Sequence, residues 1–160
     1  MLDVLNGDLN QSLTADHLNR LKFLEACIKE SSRIFSNLGF GRRLDRDEQL
    51  GPYLLPAGSE VIVDTFNMHR RSDLYEEPNA FKPERFLQKV MPANTFLTFS
   101  TGARNCLGQK FALLLLKSVL ANVLRSLHIQ SLVPRDRLQV HLGFVTHPDT
   151  PLRTRIKLRN

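Results

Sequence analysis

The sequence predicts an α+β fold that is mainly helical with small β-sheets, arranged as one domain over residues 1–160. Two stretches, Thr14–Phe35 and Leu107–Leu127, carry apolar residues at the spacing of a long helix. Between and after them, short apolar segments are bounded by prolines and glycines, which is typical of strands in small sheets. Hydrophobic residues make up 42% of the 160 positions, which is enough for one domain with a hydrophobic core.

The first long stretch begins at Thr14, a good N-cap residue, and has Asp16 in its first turn. Cys27 lies among the apolar residues of this helix, so we expect it in the core rather than in a reactive role. Cys106 is the only other cysteine, so a disulfide framework is not expected, although a single bridge is compatible with the sequence. The apolar face of the helix consists of Leu18, Leu21, Leu24 and Ile28.

The middle of the chain predicts a small hairpin followed by a polar loop. Residues Asn37–Arg43 are expected to form an irregular link. Two strands, Gln49–Leu55 and Glu60–Phe66, are expected to be joined by a type I turn at Pro56-Ala57-Gly58. The polar segment Asn67–Val90, which two prolines interrupt, predicts loops and short helical turns.

The second long stretch, Leu107–Leu127, contains the unbroken apolar run Phe111–Leu116 and is therefore expected to be a buried, interior helix. After it, Leu138–Leu142 and Arg153–Arg159 are expected to form a C-terminal hairpin around a turn at Pro148–Pro151. The basic residues of the last strand favour a charged sheet edge over a nucleic-acid contact. We therefore expect no nucleic-acid partner.

The charge and the motif content exclude several classes of function. The formal net charge of +6 fits an anionic surface, a membrane face or a cofactor carboxylate without choosing among them. No apolar stretch is long enough to span a membrane, because Lys117 interrupts the best candidate, and no signal peptide is visible. The sequence contains no CxxC, phosphate-binding loop, GxSxG or paired-histidine metal motif.

One ten-residue segment, Phe99-Ser-Thr-Gly102-Ala-Arg104-Asn-Cys106-Leu-Gly108, carries the chemistry. Cys106 lies just before the second helix, where backbone N–H groups and the helix dipole favour an ionised sulfur. The two glycines allow a close approach of the backbone to a bulky group, and Arg104 offers a fork of donors to an anion. A thiolate, a close approach and an anion clamp together fit a haem group.

Two other interpretations of Cys106 stay open at this point. The cysteine could be a small, inert residue at the start of a helix. It could also be a peroxide-reactive thiol without haem, although the sequence offers no evident base or resolving thiol for that chemistry.

The spacing of the segment resembles the haem-binding loop of the cytochrome P-450 monooxygenases. Two further elements match the same family in the right order, namely Glu30-x-x-Arg33 and Pro83-Glu84-Arg85-Phe86. By spacing alone, Glu30 and Arg33 would form an ordinary surface ion pair on a helix. The resemblance implies instead that Glu30, Arg33 and Arg85 form one buried network that holds the irregular segment on the proximal side of the haem.

The resemblance also implies roles for individual residues. Cys106 would be the axial ligand of the iron of haem b, and Arg104 would bind one propionate, with Arg43 or Arg42 as a second clamp. Phe99 would shield the sulfur, while Gly102 and Gly108 would permit close packing and free N–H groups to face the sulfur. Two segments would line the substrate pocket: Leu38, Gly39 and Phe40, and Gly143, Phe144, Val145 and Thr146.

The similarity begins near Thr14 and extends to the C-terminus, and it is strongest to the animal microsomal branch of the family. Ser36 departs from the pattern, because many members have proline there, and the link is expected to be less rigid. The family's helix with an acid–threonine pair and its N-terminal membrane anchor have no match in the sequence. We therefore expect the chain to be a single partial domain, the C-terminal haem-binding portion of the fold.

The activity implied by the resemblance is insertion of one oxygen atom of O₂ into a hydrophobic small molecule. The electrons would come from NADPH through a flavoprotein reductase, and the enzyme would lie on the cytosolic face of the endoplasmic reticulum membrane. We expect the 160-residue chain alone to have little or no activity. The alternative is a truncated, non-catalytic remnant that retains only the proximal haem-binding half.

Overall fold

The fold was determined as a computed structural model that describes residues 4, 5, 8, 10–88, 91–143 and 145–159. Helices and small antiparallel sheets alternate along these residues, as the α+β prediction requires, so that prediction of fold class is confirmed. The helices are α1 (Ala15–Arg20), α2 (Lys22–Ile34), α3 (Thr65–Met68), α4 (Arg85–Gln88) and α5 (Gln109–Ser126). The strands are β1 (Phe40–Arg43), β2 (Glu48–Leu50), β3 (Tyr53–Leu55), β4 (Glu60–Val63), β5 (Leu127–Ser131), β6 (Val140–His141), β7 (His147–Pro148) and β8 (Thr154–Leu158).

The first predicted helix is interrupted at Leu21, which lies between α1 and α2 with φ −75° and ψ 63°. Thr14 caps α1 by accepting a hydrogen bond from the N–H of His17 at 3.2 Å. Leu18 and Leu21 are buried together against Ala121 of α5. The break redirects the chain so that both short helices pack against α5, a tertiary effect that the helical pattern does not reveal.

The predicted hairpin in the middle of the chain is wrong in its pairing. Gly51, with φ 58°, and Pro52 turn the predicted strand Gln49–Leu55 back on itself, so β2 pairs with β3. The strand β4 pairs instead with β1, which forms inside the link that was expected to be irregular. Gly58 has φ 82° at the third position of the turn between β3 and β4, which makes this a type II rather than a type I turn.

The predicted C-terminal hairpin is also wrong, because β8 pairs with β5 and β6 pairs with β7. The chain leaves α5 directly into β5, a short strand that was not predicted because no glycine or proline separates it from the helix. The register matches apolar residues across the pair, with Leu127 opposite Leu158 and Ile129 opposite Ile156.

The helix α5 is not the enclosed element that its apolar run predicts. Phe111 is 71% exposed and Leu115 is 50% exposed, while the buried side of the helix is formed around Lys117 and Ala121. The reason is that, among the described residues, α1 and α2 pack on one side of α5 only. None of the described helices combines the length and the apolar character that crossing a membrane requires.

A buried ion pair joins α2 to α5. Lys117 is 5% exposed and pairs with Glu25, which also binds Lys29 at 2.7 Å. Burial alone would raise the pKa of Glu25, but the hydrogen bonds from Lys117 and Lys29 lower it to about 2. Cys27 is half-buried beside α5, and burial raises the pKa of its thiol, which suits a packing role.

Candidate functional site

The loop before α5 folds back so that Cys106 lies in contact with Phe99. The N–H of Cys106 donates to the carbonyl of Phe99 at 2.9 Å, and a short 3₁₀ turn, Gly102–Arg104, lies between them. Ser100 and Gly102 both have positive φ, 62° and 77°, so the turn requires left-handed backbone at two positions. The thiol of Cys106 is free and exposed at the end of this turn.

Cys106 opens onto a pocket of about 590 Å³, a volume in the usual range for cofactor and small-molecule sites. The loop supplies Phe99, Arg104 and Cys106 to its lining. The other walls come from three separate parts of the chain, represented by Ser36, Gly39, Phe40, Arg42, Thr65 and Val145.

Arg42 and Arg43 lie on opposite sides of β1, as neighbouring residues of a strand must. Arg42 extends to the loop, where its Nη2 donates to the hydroxyl of Ser100 at 3.1 Å and to the carbonyl of Arg104 at 3.0 Å. Arg43 extends instead toward the turn at Gly58. Arg42 is therefore the arginine of this pair that shares the pocket with Cys106.

Arg104 lines the pocket, and its guanidinium makes no hydrogen bond or ion pair with the described residues. Beside it, a Cβ added at Gly102 would meet no atom within 4 Å, so the backbone there is open to an incoming group. A Cβ at Gly108 would lie 3.9 Å from the Sγ of Cys106, an ordinary contact.

Glu30, Arg33 and Arg85 meet in one network, with Glu30 and Arg33 fully buried. Arg33 binds both oxygens of Glu30, by Nε at 2.8 Å and by Nη2 at 2.9 Å. The Nε of Arg85 donates to the Oε1 of Glu30 at 3.2 Å, and the backbone N–H of Lys82 donates to the same oxygen at 2.9 Å. Two arginines and one backbone N–H thus satisfy a single carboxylate.

Arg33 also connects α2 to the irregular segment that follows β4. Arg33 donates to the carbonyls of His69 at 2.6 Å and Ala80 at 3.3 Å, and its guanidinium lies 4.9 Å from the ring centroid of Tyr75. Burial by itself would raise the pKa of Glu30, but the hydrogen bonds from Arg33 and Lys82 and the nearby guanidinium charges lower it. The carboxylate is therefore held ionised where it anchors this segment.

His69 joins this network to the cysteine loop, a role that the sequence analysis did not predict. The side chain is fully buried, stacks on Phe96, and accepts a hydrogen bond by Nε2 from the N–H of Leu97 at 3.1 Å. Burial, followed by the charges of Arg33 and Arg70, lowers the pKa of His69 to about 4. The imidazole is thus neutral where it supports the chain two residues before Phe99.

The neutral state of His69 predicts a loss of stability in acid. The unfolded chain takes up a proton near pH 6.5 that the folded chain accepts only near pH 4. The free energy of unfolding should therefore fall by roughly 3 kcal/mol between these pH values, as measured by urea unfolding. His69→Gln should lack this contribution, whereas the exposed His128→Asn should retain it. An identical pH dependence in His69→Gln and the parent would contradict the assignment.

The chain matches the family model of cytochrome P450 over residues 2–153. It belongs to the cytochrome P450 family. It is 33% identical to cytochrome P450 4d10 of Drosophila mettleri over 99% of this chain and 32% of that protein. It is also 32% identical to mouse (Mus musculus) cytochrome P450 4V2 over 99% of this chain and 31% of that protein. The chain therefore spans about a third of the length of the curated relatives that it matches.

The residues of this cytochrome P450 chain fit the haem that the family binds. The pocket contains one free thiol and a guanidinium without a hydrogen-bond partner among the described residues, and the backbone at Gly102, in the same loop, is open. A soft sulfur ligand suits iron, and a guanidinium suits the carboxylate of a propionate. The donor set is the one that a thiolate-ligated haem requires.

The two segments that the resemblance assigns to the substrate pocket lie against each other in this cytochrome P450 chain. The N–H of Leu38 donates to the carbonyl of Gly143 at 3.5 Å, and Thr146 binds the same link through its hydroxyl and N–H. Phe40 and Val145 reach the lining of the Cys106 pocket. Leu38 lines a neighbouring pocket that shares Gly39 and Phe40 with it, and Phe144 lies outside the described residues.

Gly39 has a structural requirement in addition to its place in the pocket wall. A Cβ at this position would lie 2.1 Å from the carbonyl oxygen of Val63, so the backbone at residue 39 would have to move away from β4. Gly39→Ala should lower the free energy of unfolding by about 1–3 kcal/mol in urea titrations. Gly41→Ala is the matched control, because its Cβ would make contacts no closer than 3.8 Å. Equal losses in the two variants would refute this explanation.

Proposed function

We propose that this chain is the haem-binding part of a haem-thiolate monooxygenase, in which the thiolate of Cys106 is the axial ligand of the iron. The observation that supports this most directly is the pocket in which a free thiol lies together with the guanidinium of Arg104, which pairs with none of the described residues. Membership of the cytochrome P450 family gives the reaction class at the level of the family.

Each residue of the pocket has a distinct task in this proposal. When bound, haem with a thiolate ligand supplies the activation of O₂ and the transfer of one oxygen atom to an organic substrate. Arg104 binds a propionate through its free donors, and Arg42 adds a second positive charge on the same side of the pocket. Phe99 lines the pocket beside Cys106, and its role is to shield the sulfur once the haem is bound.

The buried network serves positioning rather than chemistry. Glu30, Arg33 and Arg85 fix the irregular segment, and His69 transmits that constraint to the residues before Phe99. Cys106 is thereby presented at a constant distance from β1, to which Arg42 ties the loop. A fixed ligand geometry reduces the reorganisation that accompanies binding and electron transfer.

The finer elements of the proposal follow from the family. The cofactor is haem b, the electrons come from NADPH through a flavoprotein reductase, and the substrate is a hydrophobic small molecule. The location is the cytosolic face of the endoplasmic reticulum membrane. The 160-residue chain alone turns over little substrate, because Cys106 is exposed and a wet site wastes reducing equivalents.

The test is a haem titration of the purified chain followed by reduction and addition of carbon monoxide. We expect a stoichiometric complex whose carbonyl form absorbs at the long wavelength that a thiolate ligand causes. Arg104→Leu should weaken haem binding by about tenfold, the loss of a charge-assisted hydrogen bond, without moving that band. Failure of the parent chain to produce the band would reject the proposal.

A further inference from the structure

Two buried hydroxyl groups lie in the lining of the Cys106 pocket. Ser36 is 3% exposed and Thr65 is 2% exposed, and their oxygens are 3.1 Å apart. The hydroxyl of Thr65 also lies 3.1 Å from the carbonyl of Asn37, to which it donates. Because a threonine hydroxyl has one proton, Ser36 must be the donor to Thr65. The two side chains therefore form a directed chain of hydrogen bonds that ends on the backbone of the link.

The same link is held from its other side by the turn between β6 and β7. The hydroxyl of Thr146 donates to the carbonyl of Ser36 at 2.9 Å, and the N–H of Thr146 donates to the Oδ1 of Asn37 at 3.3 Å. The link thus lies between the start of α3 and this turn, bound to each by side-chain hydroxyls. We refer to Ser36, Thr65 and Thr146 as the hydroxyl clamp.

The clamp bears on the wall of the pocket and not on the cysteine loop. Gly39 and Phe40, which follow Asn37 within the link, form one part of this wall, and Val145, which precedes Thr146, forms another. The loop has separate attachments through Arg42 and through the hydrogen bond from the N–H of Leu97. Loss of the clamp would release the wall while the thiol stays in place.

A proline at the position of Ser36 would restrict the backbone through its ring alone, without a hydrogen-bond partner. Serine lacks this restriction, and we expected a looser link for that reason. The hydrogen bond to Thr65 and the contact with Thr146 restrain the link instead. The rigidity of the pocket wall therefore depends on three side chains distributed over the chain.

We propose that Ser36, Thr65 and Thr146 are positioning residues that set the width of the pocket beside Cys106 and so limit the size of the molecules that the pocket can hold. As a statement about substrates, this rests on the proposed haem-thiolate function. As a statement about the width of the pocket, it stands without haem, because Cys106 itself is exposed and only a bulky group attached to it needs room in the pocket.

The experiment measures how fast Cys106 is alkylated in the 160-residue chain carrying Cys27→Ala, so that a single thiol reports. A small reagent, iodoacetamide, and a bulky one, N-(1-pyrenyl)maleimide, are compared in the parent and in Thr65→Val, Ser36→Ala and Thr146→Val. The bulky-to-small rate ratio should rise by about threefold or more in each, the effect of losing one hydrogen bond. Thr154→Val, in exposed β8, is the matched control and should leave the ratio unchanged.

The ratio separates a wider pocket from general loosening, because loosening raises both rates together. If Thr65→Val fails to fold, as judged by circular dichroism, the half-buried Thr146→Val provides the test. An unchanged ratio in the folded variants would overturn the proposal. A raised ratio in a chain that does not bind haem would support the clamp and reject the monooxygenase function, so the two failures are distinguishable.

Discussion

Replacing Cys106 by serine should abolish the long-wavelength absorbance of the reduced carbonyl complex in the haem-loaded chain. The band depends on electron donation from a thiolate sulfur, and a serine hydroxyl is neither ionised at neutral pH nor soft enough to replace it. The pocket would still offer Arg104 to a propionate, so we expect haem to bind more weakly with a different spectrum rather than not at all. The measurement is the difference spectrum after reduction and addition of carbon monoxide.

The matched control is Cys27→Ser, because Cys27 is the other cysteine of the chain and lies half-buried against α5. It should keep the long-wavelength band in full. A band that survives in Cys106→Ser and disappears in Cys27→Ser would identify Cys27 of α2 as the ligand and would refute the site described above.

Replacing Glu30 by alanine should be the most destabilising single change in the chain, at about 3–5 kcal/mol of unfolding free energy. It removes the carboxylate that, among the described residues, compensates the buried guanidinium of Arg33 and the partly buried guanidinium of Arg85, and it leaves the N–H of Lys82 without its acceptor. Urea unfolding followed by circular dichroism would measure the loss.

Glu48→Ala provides the comparison, because Glu48 also pairs with an arginine, Arg46 at 2.7 Å, but in an exposed position. Its removal should cost less than about 1 kcal/mol.

The contribution of Glu30 to the free energy of unfolding should also depend on pH. The pKa of Glu30 is lowered in the folded chain, so its stabilisation is present above the ordinary glutamate range and is lost as the pH falls through the folded value. Similar losses of unfolding free energy in Glu30→Ala and Glu48→Ala would contradict a buried network.

The parts of the fold that the sequence predicted correctly are those with strong local signals. Thr14 begins a helix because its hydroxyl caps it, and α5 begins within two residues of its predicted start. Strand pairing was predicted wrongly because it depends on partners distant in the sequence. Nothing local indicates that β4 pairs with β1, or that the end of α5 continues into a strand that pairs with β8.

The residue types of the candidate site could be predicted from spaced motifs. A motif indicates which residue types come together, but it does not indicate how the backbone brings them together. The structure brings Glu30, Arg33 and Arg85 together, and it separates Arg42 from Arg43, which the sequence could not. His69 was not recognised as the connection to the cysteine loop, since a buried neutral histidine has no distinctive sequence pattern. The burial of Lys117 against Glu25 was not predicted either, because the apolar run that precedes Lys117 does not indicate it.

The guanidinium of Arg33 makes the irregular segment after β4 inseparable from a helix. Four of its five N–H groups are used between Glu30 and the carbonyls of His69 and Ala80. A stretch with hardly any regular secondary structure consequently melts in the same cooperative unit as α2, rather than fraying ahead of it. Lysine is a point charge without a planar fork of donors and cannot reproduce this arrangement. The conservative substitution Arg33→Lys therefore cannot preserve the connection.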